Sequence, residues 1–216
     1  MEPNVARLID GYVRAVQTGI DCGNRGVISL RAPGGAFVKR RDAVNTQIGE
    51  RDIVQAAPGG IGDADARVRA HLAIFDAFPS VNAVVQLDTR WCSVWATQEE
   101  ELPPLNALHA RYFFGPVRVT GVIAGESDVN EEIGRRVLEL FETRVMAHTP
   151  AAFIRNLGAL TWGETLESAL ERAVVLEELA CRAWQVRLAV GPEFSYLPYR
   201  VRKQLFAGSF TGEKLG

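Results

Sequence analysis

The chain is poor in the residues that hold metals or form disulfides. Three cysteines (Cys22, Cys92 and Cys181) and three histidines (His71, His109 and His148) are scattered over 216 residues. No CxxC pair occurs and the cysteine total is odd, which argues against a disulfide framework and suits a reducing cytoplasm. A dense His- or Cys-rich metal site lacks ligands from the outset. Charge of one sign is also missing: 24 Lys and Arg against 26 Asp and Glu give a net charge of -2. Without a positive field, binding to a nucleic acid backbone is not expected. No run approaches the ~20 apolar residues of a membrane-crossing helix. Met1-Glu2-Pro3-Asn4 is not a cationic patch leading into an apolar core, so neither membrane insertion nor secretion is expected. Gly34-Gly35 and Gly59-Gly60 do not make a GxGxxG or phosphate-loop signature, so no nicotinamide, flavin or nucleotide cofactor follows.

What is present is ordinary for a globular domain: 47% hydrophobic and 23% charged residues, with no repeat or low-complexity run. Val5, Leu8, Ile9, Tyr12, Val13 and Val16 recur at helical spacing before Gly19, which predicts a first helix. Val27 to Leu30 and Ala36 to Val38 read as two strands joined by the Pro33-Gly34-Gly35 turn, with Ile53-Val54 as another. A second helix is predicted from Asp65 to Phe78, ended by Pro79, and a buried strand from Ala83 to Leu87. Arg90 to Thr97 reads as a short helix with Trp91 and Trp95 one turn apart, as core or interface residues. Val117 to Ile123 reads as extended. Asn130 to Glu142 reads as a helix capped at Ser127 or Asp128, and Ala151 to Ile154 as a central strand. A long helix follows Gly163, with Leu166, Ala169, Leu170, Ala173, Val174, Glu177 and Ala180 as its stripe. Alternating strands and helices predict one three-layer α/β or α+β domain over residues 1–197. Residues 198–216 form a tail that docks on a neighbouring subunit or frays.

Three stretches together resemble the class II aldolase and adducin-head family, especially its L-ribulose-5-phosphate 4-epimerase branch. They are Cys22-Gly23-Asn24; Ala77-Phe78-Pro79 through Val84-Val85 to Pro103-Pro104 and His109-Ala110-Arg111-Tyr112-Phe113-Phe114-Gly115; and Thr161-Trp162-Gly163 leading into Ala173-Val174-Val175-Leu176-Glu177-Glu178. The resemblance implies a class II aldolase-like fold: a mostly antiparallel sheet between helical layers, assembled as a C4 homotetramer with sites between subunits. It also implies a divalent metal, usually zinc, on a His-x-His pair and a third histidine, which polarises a carbonyl and stabilises an enediolate. At the matching places this chain reads Gln86-Leu87-Asp88 and Leu157. Leucine cannot coordinate a cation, and one amide with one carboxylate is a poor zinc set, so no metal is expected.

Other departures accompany it. Arg111 stands where the epimerases carry an acidic residue, and their C-terminal tyrosine matches Phe210 or Thr211. The family's Ser-Ser pair falls at Asp65-Ala66, the acidic residue after it at Arg67, and its Lys-Pro-Ser-Gly phosphate loop reads Lys39-Arg40-Arg41-Asp42. Asn24 and Lys39 are kept.

A pocket at the old metal position would be walled by Gln86, Asp88, His109, Arg111 and Tyr112. His109 or Asp88 could serve as base, Tyr112 as acid, and Arg111 with Gln86 as electrophilic support. Asn24, Lys39, Arg40, Arg41 and Arg67 are candidates for holding an anionic substrate. The bland alternatives stand beside these: His109 and Tyr112 as parts of the fold motif, Arg111 as a subunit salt bridge, the basic run as a solvated surface, and His71 and Cys92 as buried structural residues. The resulting expectation is a metal-independent lyase or isomerase acting on a small anionic carbonyl compound. A non-catalytic binding or assembly subunit is the alternative. A third reading keeps a magnesium or manganese ion on Asp88, Gln86 and His109.

Overall fold

The computed structural model describes residues 2–21, 25–123, 128–141, 148–191 and 195–211, with side chains to 207. Asn24 and Cys22, the capping candidate Ser127 and the side chains of Phe210 and Thr211 lie outside the described residues.

The first helix, α1 (Pro3–Gln17), begins where the Glu2 carboxylate accepts from the Val5 amide at 2.8 Å and Pro3 occupies the first turn. It buries Val5, Leu8, Tyr12 and Ala15. Strands β1 (Val27–Ala32) and β2 (Gly35–Lys39) form a hairpin whose turn is carried by Gly34 at φ +73, a left-handed value that glycine adopts without strain. β3 (Ile53–Ala56), β4 (Ala83–Leu87), β5 (Ala151–Ile154) and β6 (Gly158–Gly163) complete a six-stranded sheet. Its order is β3-β2-β1-β4-β6-β5, and every neighbouring pair is antiparallel.

The two faces of β4 divide the core. Val84, with Val27, Leu160 and Trp162, packs under α2 (Val68–Ala77) and α5 (Val129–Glu139). Ala83, Val85 and Leu87 pack under α1 and the 25-residue helix α6 (Leu166–Val190). Such alternation along one strand is what a sheet buried on both faces requires. A third cluster joins the short helices α3 (Arg90–Trp95) and α4 (Ala107–Tyr112) to the second half of α6 through Trp95, Phe113, Phe153, Leu176 and Leu179. The architecture is therefore three-layer, with helices on both sides of an antiparallel sheet.

Several local expectations change. β6 is a full strand where the sequence suggested only a motif; all six residues are buried, so no polar alternation marks it. That insertion displaces β5 from the centre to the sheet edge. Residues 117–123 are held by two isolated bridges, Leu102 to Val117 and Val119 to Phe153, and form no strand. α2 starts at Val68, because the Asp65 carboxylate bends back to accept from the Arg67 amide at 3.1 Å. On α6, Leu176 and Leu179 are in the core, whereas Val174 is exposed. The stretch after residue 197 forms a helix, α7 (Tyr199–Thr211), on its own chain: Tyr199 and Phe206 meet the Phe114 ring at 5.6 and 5.5 Å.

Candidate functional site

The C-terminal end of β4 places Gln86 and Asp88 beside the start of β1, since Gln86 pairs with Val27. The β5–β6 turn closes on the same place. Gly158 has φ +127, and a Cβ there would stand 2.3 Å from the Leu87 carbonyl oxygen and 3.2 Å from Asp88 Cα. Only glycine permits that approach, and it brings the exposed Leu157 to the neighbourhood of Asp88. The three positions matched to the family's metal ligands thus converge.

Asp88 is already occupied. Arg25 Nη1 donates to its Oδ2 at 2.8 Å, and the Ser93 hydroxyl donates to its Oδ1. The pair is open to water, with side-chain exposures of 65% for Arg25 and 35% for Asp88. The rest of the Arg25 guanidinium has no partner among the described residues. A second arginine adjoins it: Arg67 Nη1 donates to the Arg25 carbonyl, while its Nε and Nη2 grip Asp65 at 2.9 and 2.7 Å. This fork is the strong bidentate form of an Arg–carboxylate pair. Burial alone would push the Asp65 pKa up, but the bonds and charge of Arg67, helped by Lys39, hold it below the usual carboxylate range.

Beneath this lies a fully enclosed polar layer. Lys39 is 2% exposed and donates to Asn45 Oδ1 at 2.7 Å. Asn45 in turn donates to Asp21, whose other carboxylate oxygen accepts from the Arg25 and Gly26 amides at 3.0 and 2.9 Å. Burial, then the charge of Arg67, lowers the Lys39 pKa. Lys39 is therefore an interior cation held by the protein's own groups, and not a side chain of an open basic loop. Arg40 and Arg41 fit that loop better: Arg40 reaches Asp42 and Asp63 at 3.4 Å each, and Arg41 donates to the Gly62 carbonyl at 2.9 Å.

The remaining candidates sit on α4, apart from this end of the sheet. His109 is 1% exposed, and its Nε2 lies 2.7 Å from the Gly115 carbonyl oxygen. Burial lowers its pKa to about 4, so at neutral pH it is an uncharged imidazole with Nε2–H committed to that carbonyl. Such a group is a weak base, and its closed bonding favours the part in the fold motif that the sequence offered beside the catalytic one. The Tyr112 hydroxyl donates to Glu171 of α6 at 2.5 Å, and burial together with Glu171 raises its pKa to about 12. Arg111 is exposed. Among the described residues, no hydrogen bond, ion pair or ring contact joins His109, Arg111 or Tyr112 to Gln86 or Asp88.

As a holder of zinc the donor set does not fit. It offers one neutral amide, one carboxylate whose two oxygens are bonded to a guanidinium and a hydroxyl, and one hydrocarbon side chain. Among the described residues, no three His, Cys, Asp or Glu side chains form a group able to hold a metal. Sequence reasoning missed Arg25, Asp21, Asn45 and Ser93. Of these, only Arg25 carried a signal, as the residue that follows the Cys22-Gly23-Asn24 motif.

Comparison with known proteins agrees with this architecture. The profile of the class II aldolase and adducin N-terminal domain matches residues 6–184. The chain belongs to that family. L-ribulose-5-phosphate 4-epimerase UlaF of Salmonella paratyphi B is 32% identical over 122 residues, which are 54% of this chain and 53% of that protein. The chain thus matches about half the length of this relative. Among solved structures, an L-fuculose 1-phosphate aldolase superposes with a TM-score of 0.79 at 19% identity, covering 96% of each chain. L-fuculose-1-phosphate aldolase from Thermus thermophilus gives a TM-score of 0.73 at 21% identity over 88% of this chain and 99% of that one. At these identities the structural likeness establishes the fold. No helix among the described residues is long and apolar enough to cross a membrane.

Proposed function

We propose that this protein is a metal-independent lyase or isomerase of the class II aldolase family, acting on a small anionic carbonyl compound. The observation that carries the reading is the Arg25–Asp88 pair at the end of β4. It puts a guanidinium, anchored by the carboxylate, where the family resemblance calls for a cation. The open donors of Arg25 suit a carboxylate or a developing enolate oxygen. Arg67, fixed by Asp65, holds the backbone carbonyl of Arg25. Arg111 and Tyr112 of α4 are assigned to the site of a neighbouring copy, since the resemblance implies a homotetramer with shared sites. Tyr112 is the proton donor in this assignment. A cytoplasmic location suits the free thiols of Cys92 and Cys181.

The second reading, a non-catalytic binding or assembly subunit, has its own support: His71 and His109 are both buried and neutral, and Asp65 and Asp88 are both bonded to arginine. One experiment separates the two. Purified, chelator-treated protein is incubated in D2O with a panel of 2-oxo acids and keto-sugar phosphates, and exchange at the carbon next to the carbonyl is followed by NMR. The enzyme reading expects exchange or turnover with at least one compound, lost in Arg25→Gln. Binding without any exchange across the panel supports the non-catalytic reading.

A further inference from the structure

The face of the sheet under α2 carries an unusual polar line. Ser29 pairs with Val84 and Val27 with Gln86, so Ser29 and Gln86 are diagonal neighbours on one face, within reach of a bridging side chain. His71 of α2 lies over that diagonal and is fully buried. Its Nδ1 is 2.7 Å from the Ser29 hydroxyl. Its Nε2 and Gln86 Oε1 are both buried without a bonded partner, and they belong to side chains close enough that the amide raises the imidazole pKa against the effect of burial. Two sealed, unsatisfied atoms on neighbouring side chains would each cost on the order of 1–3 kcal/mol, and pairing them removes both penalties. Of the two amide atoms of Gln86, only the oxygen is both buried and unpartnered.

We propose that Ser29, His71 and Gln86 form a buried relay: the Ser29 hydroxyl donates to Nδ1, Nε2–H donates to Gln86 Oε1, and the carboxamide N–H2 is turned outward beside Asp88 as a donor to a substrate oxygen. His71 is then a positioning residue that acts through Gln86. Burial lowers its pKa to about 3, so the ring carries one proton at neutral pH, and the relay requires that proton on Nε2. The relay makes Gln86 a donor next to Arg25, so this end of the sheet reads oxygen acceptors and not cations. Only the substrate part of this inference rests on the function proposed above.

Two measurements test it. In protein labelled with 15N-histidine, long-range 1H–15N correlations at neutral pH report the His71 tautomer. A protonated Nε2 with a bare Nδ1 is expected, and a proton on Nδ1 overturns the relay whether or not any ligand binds. Pyruvate is then titrated as a probe while the Gln86 side-chain amide resonances are followed. His71→Leu should weaken binding about tenfold, the equivalent of one lost hydrogen bond. His71→Gln, which keeps a donor near the Nε2 position, should restore binding to within about threefold. Equal binding by wild type and His71→Leu, or equal loss in both variants, contradicts the positioning role. If wild type binds no pyruvate, the proposed substrate class fails while the tautomer result still decides the relay.

Discussion

The end of β4 and the α4 helix both carry residues suited to acid–base chemistry, yet the fold treats them in opposite ways. At β4, charges from five separate segments are tied to one another: Asp21, Arg25, Lys39 with Asn45, Asp65 with Arg67, and Asp88 with Ser93. On α4, His109 is closed against a carbonyl six residues away, Tyr112 is tied to one residue of α6, and Arg111 stands in solvent. The first arrangement is a preorganised charge layer whose outer member, Arg25, keeps open donors. The second is a helix anchored by its histidine that offers Arg111 outward. Preorganised donors favour binding of an oxygen anion, because no side chain must be reordered when the ligand arrives.

The sharpest way to break the contrast is to remove one charge from the tied layer. Asp65→Ala leaves Arg67 and Lys39 without their shared carboxylate and should lower unfolding stability by roughly 3 kcal/mol, read from urea denaturation. Arg111→Ala, on the open helix, should stay within about 0.5 kcal/mol of wild type.

The two buried histidines give the next effect. Both folded pKa values, about 3 for His71 and about 4 for His109, lie below the ordinary 6.5 because of burial. The unfolded chain therefore binds protons more readily in that window, and stability should be full above pH 6.5 and fall as pH drops toward 4 and 3. For His109 the loss amounts to about 3 kcal/mol by pH 4. His109→Gln should flatten the slope by about one proton, measured from thermal melts between pH 4 and 7. An unchanged slope would show that the imidazole is not sealed in the native state.

Gly158→Ala should cost about 2 kcal/mol, since it combines a left-handed φ with a Cβ pressed against the Leu87 carbonyl. It should also disturb pyruvate binding, by moving the turn away from Asp88. Within the tied layer the smallest stability effect belongs to Asp88→Asn: an ion pair this exposed contributes at most about 1 kcal/mol. Its larger consequence should appear in ligand affinity, because Arg25 loses its anchor.

Much of the fold was legible. Helical spacing marked α1, α5 and α6, and the Pro33-Gly34 turn marked the first hairpin. β6 was hidden because a strand buried on both faces shows no alternation. Of the candidate site, Gln86 and Asp88 were readable as neighbours on one strand end. Lys39 was not readable as interior: a run of three basic residues looks like a solvated loop, and only the β2 register shows that the first of them points inward. Arg25 and Ser93 reach Asp88 across 63 and 5 residues respectively, and the first of these contacts depends on strand pairing that no local pattern encodes. The burial of His109 likewise depends on how α4 meets α6 and α7.

In the function proposed above, the Arg25 guanidinium, anchored by Asp88, recognises an anionic carbonyl compound without a metal. Isothermal titration of chelator-treated wild type and Arg25→Gln with the compound that shows exchange in D2O, or with pyruvate, tests it most directly. The same affinity is expected before and after chelation, with a loss of at least about tenfold in Arg25→Gln. Equal affinity of Arg25→Gln and wild type, or binding that vanishes on chelation and returns with added zinc, would contradict it.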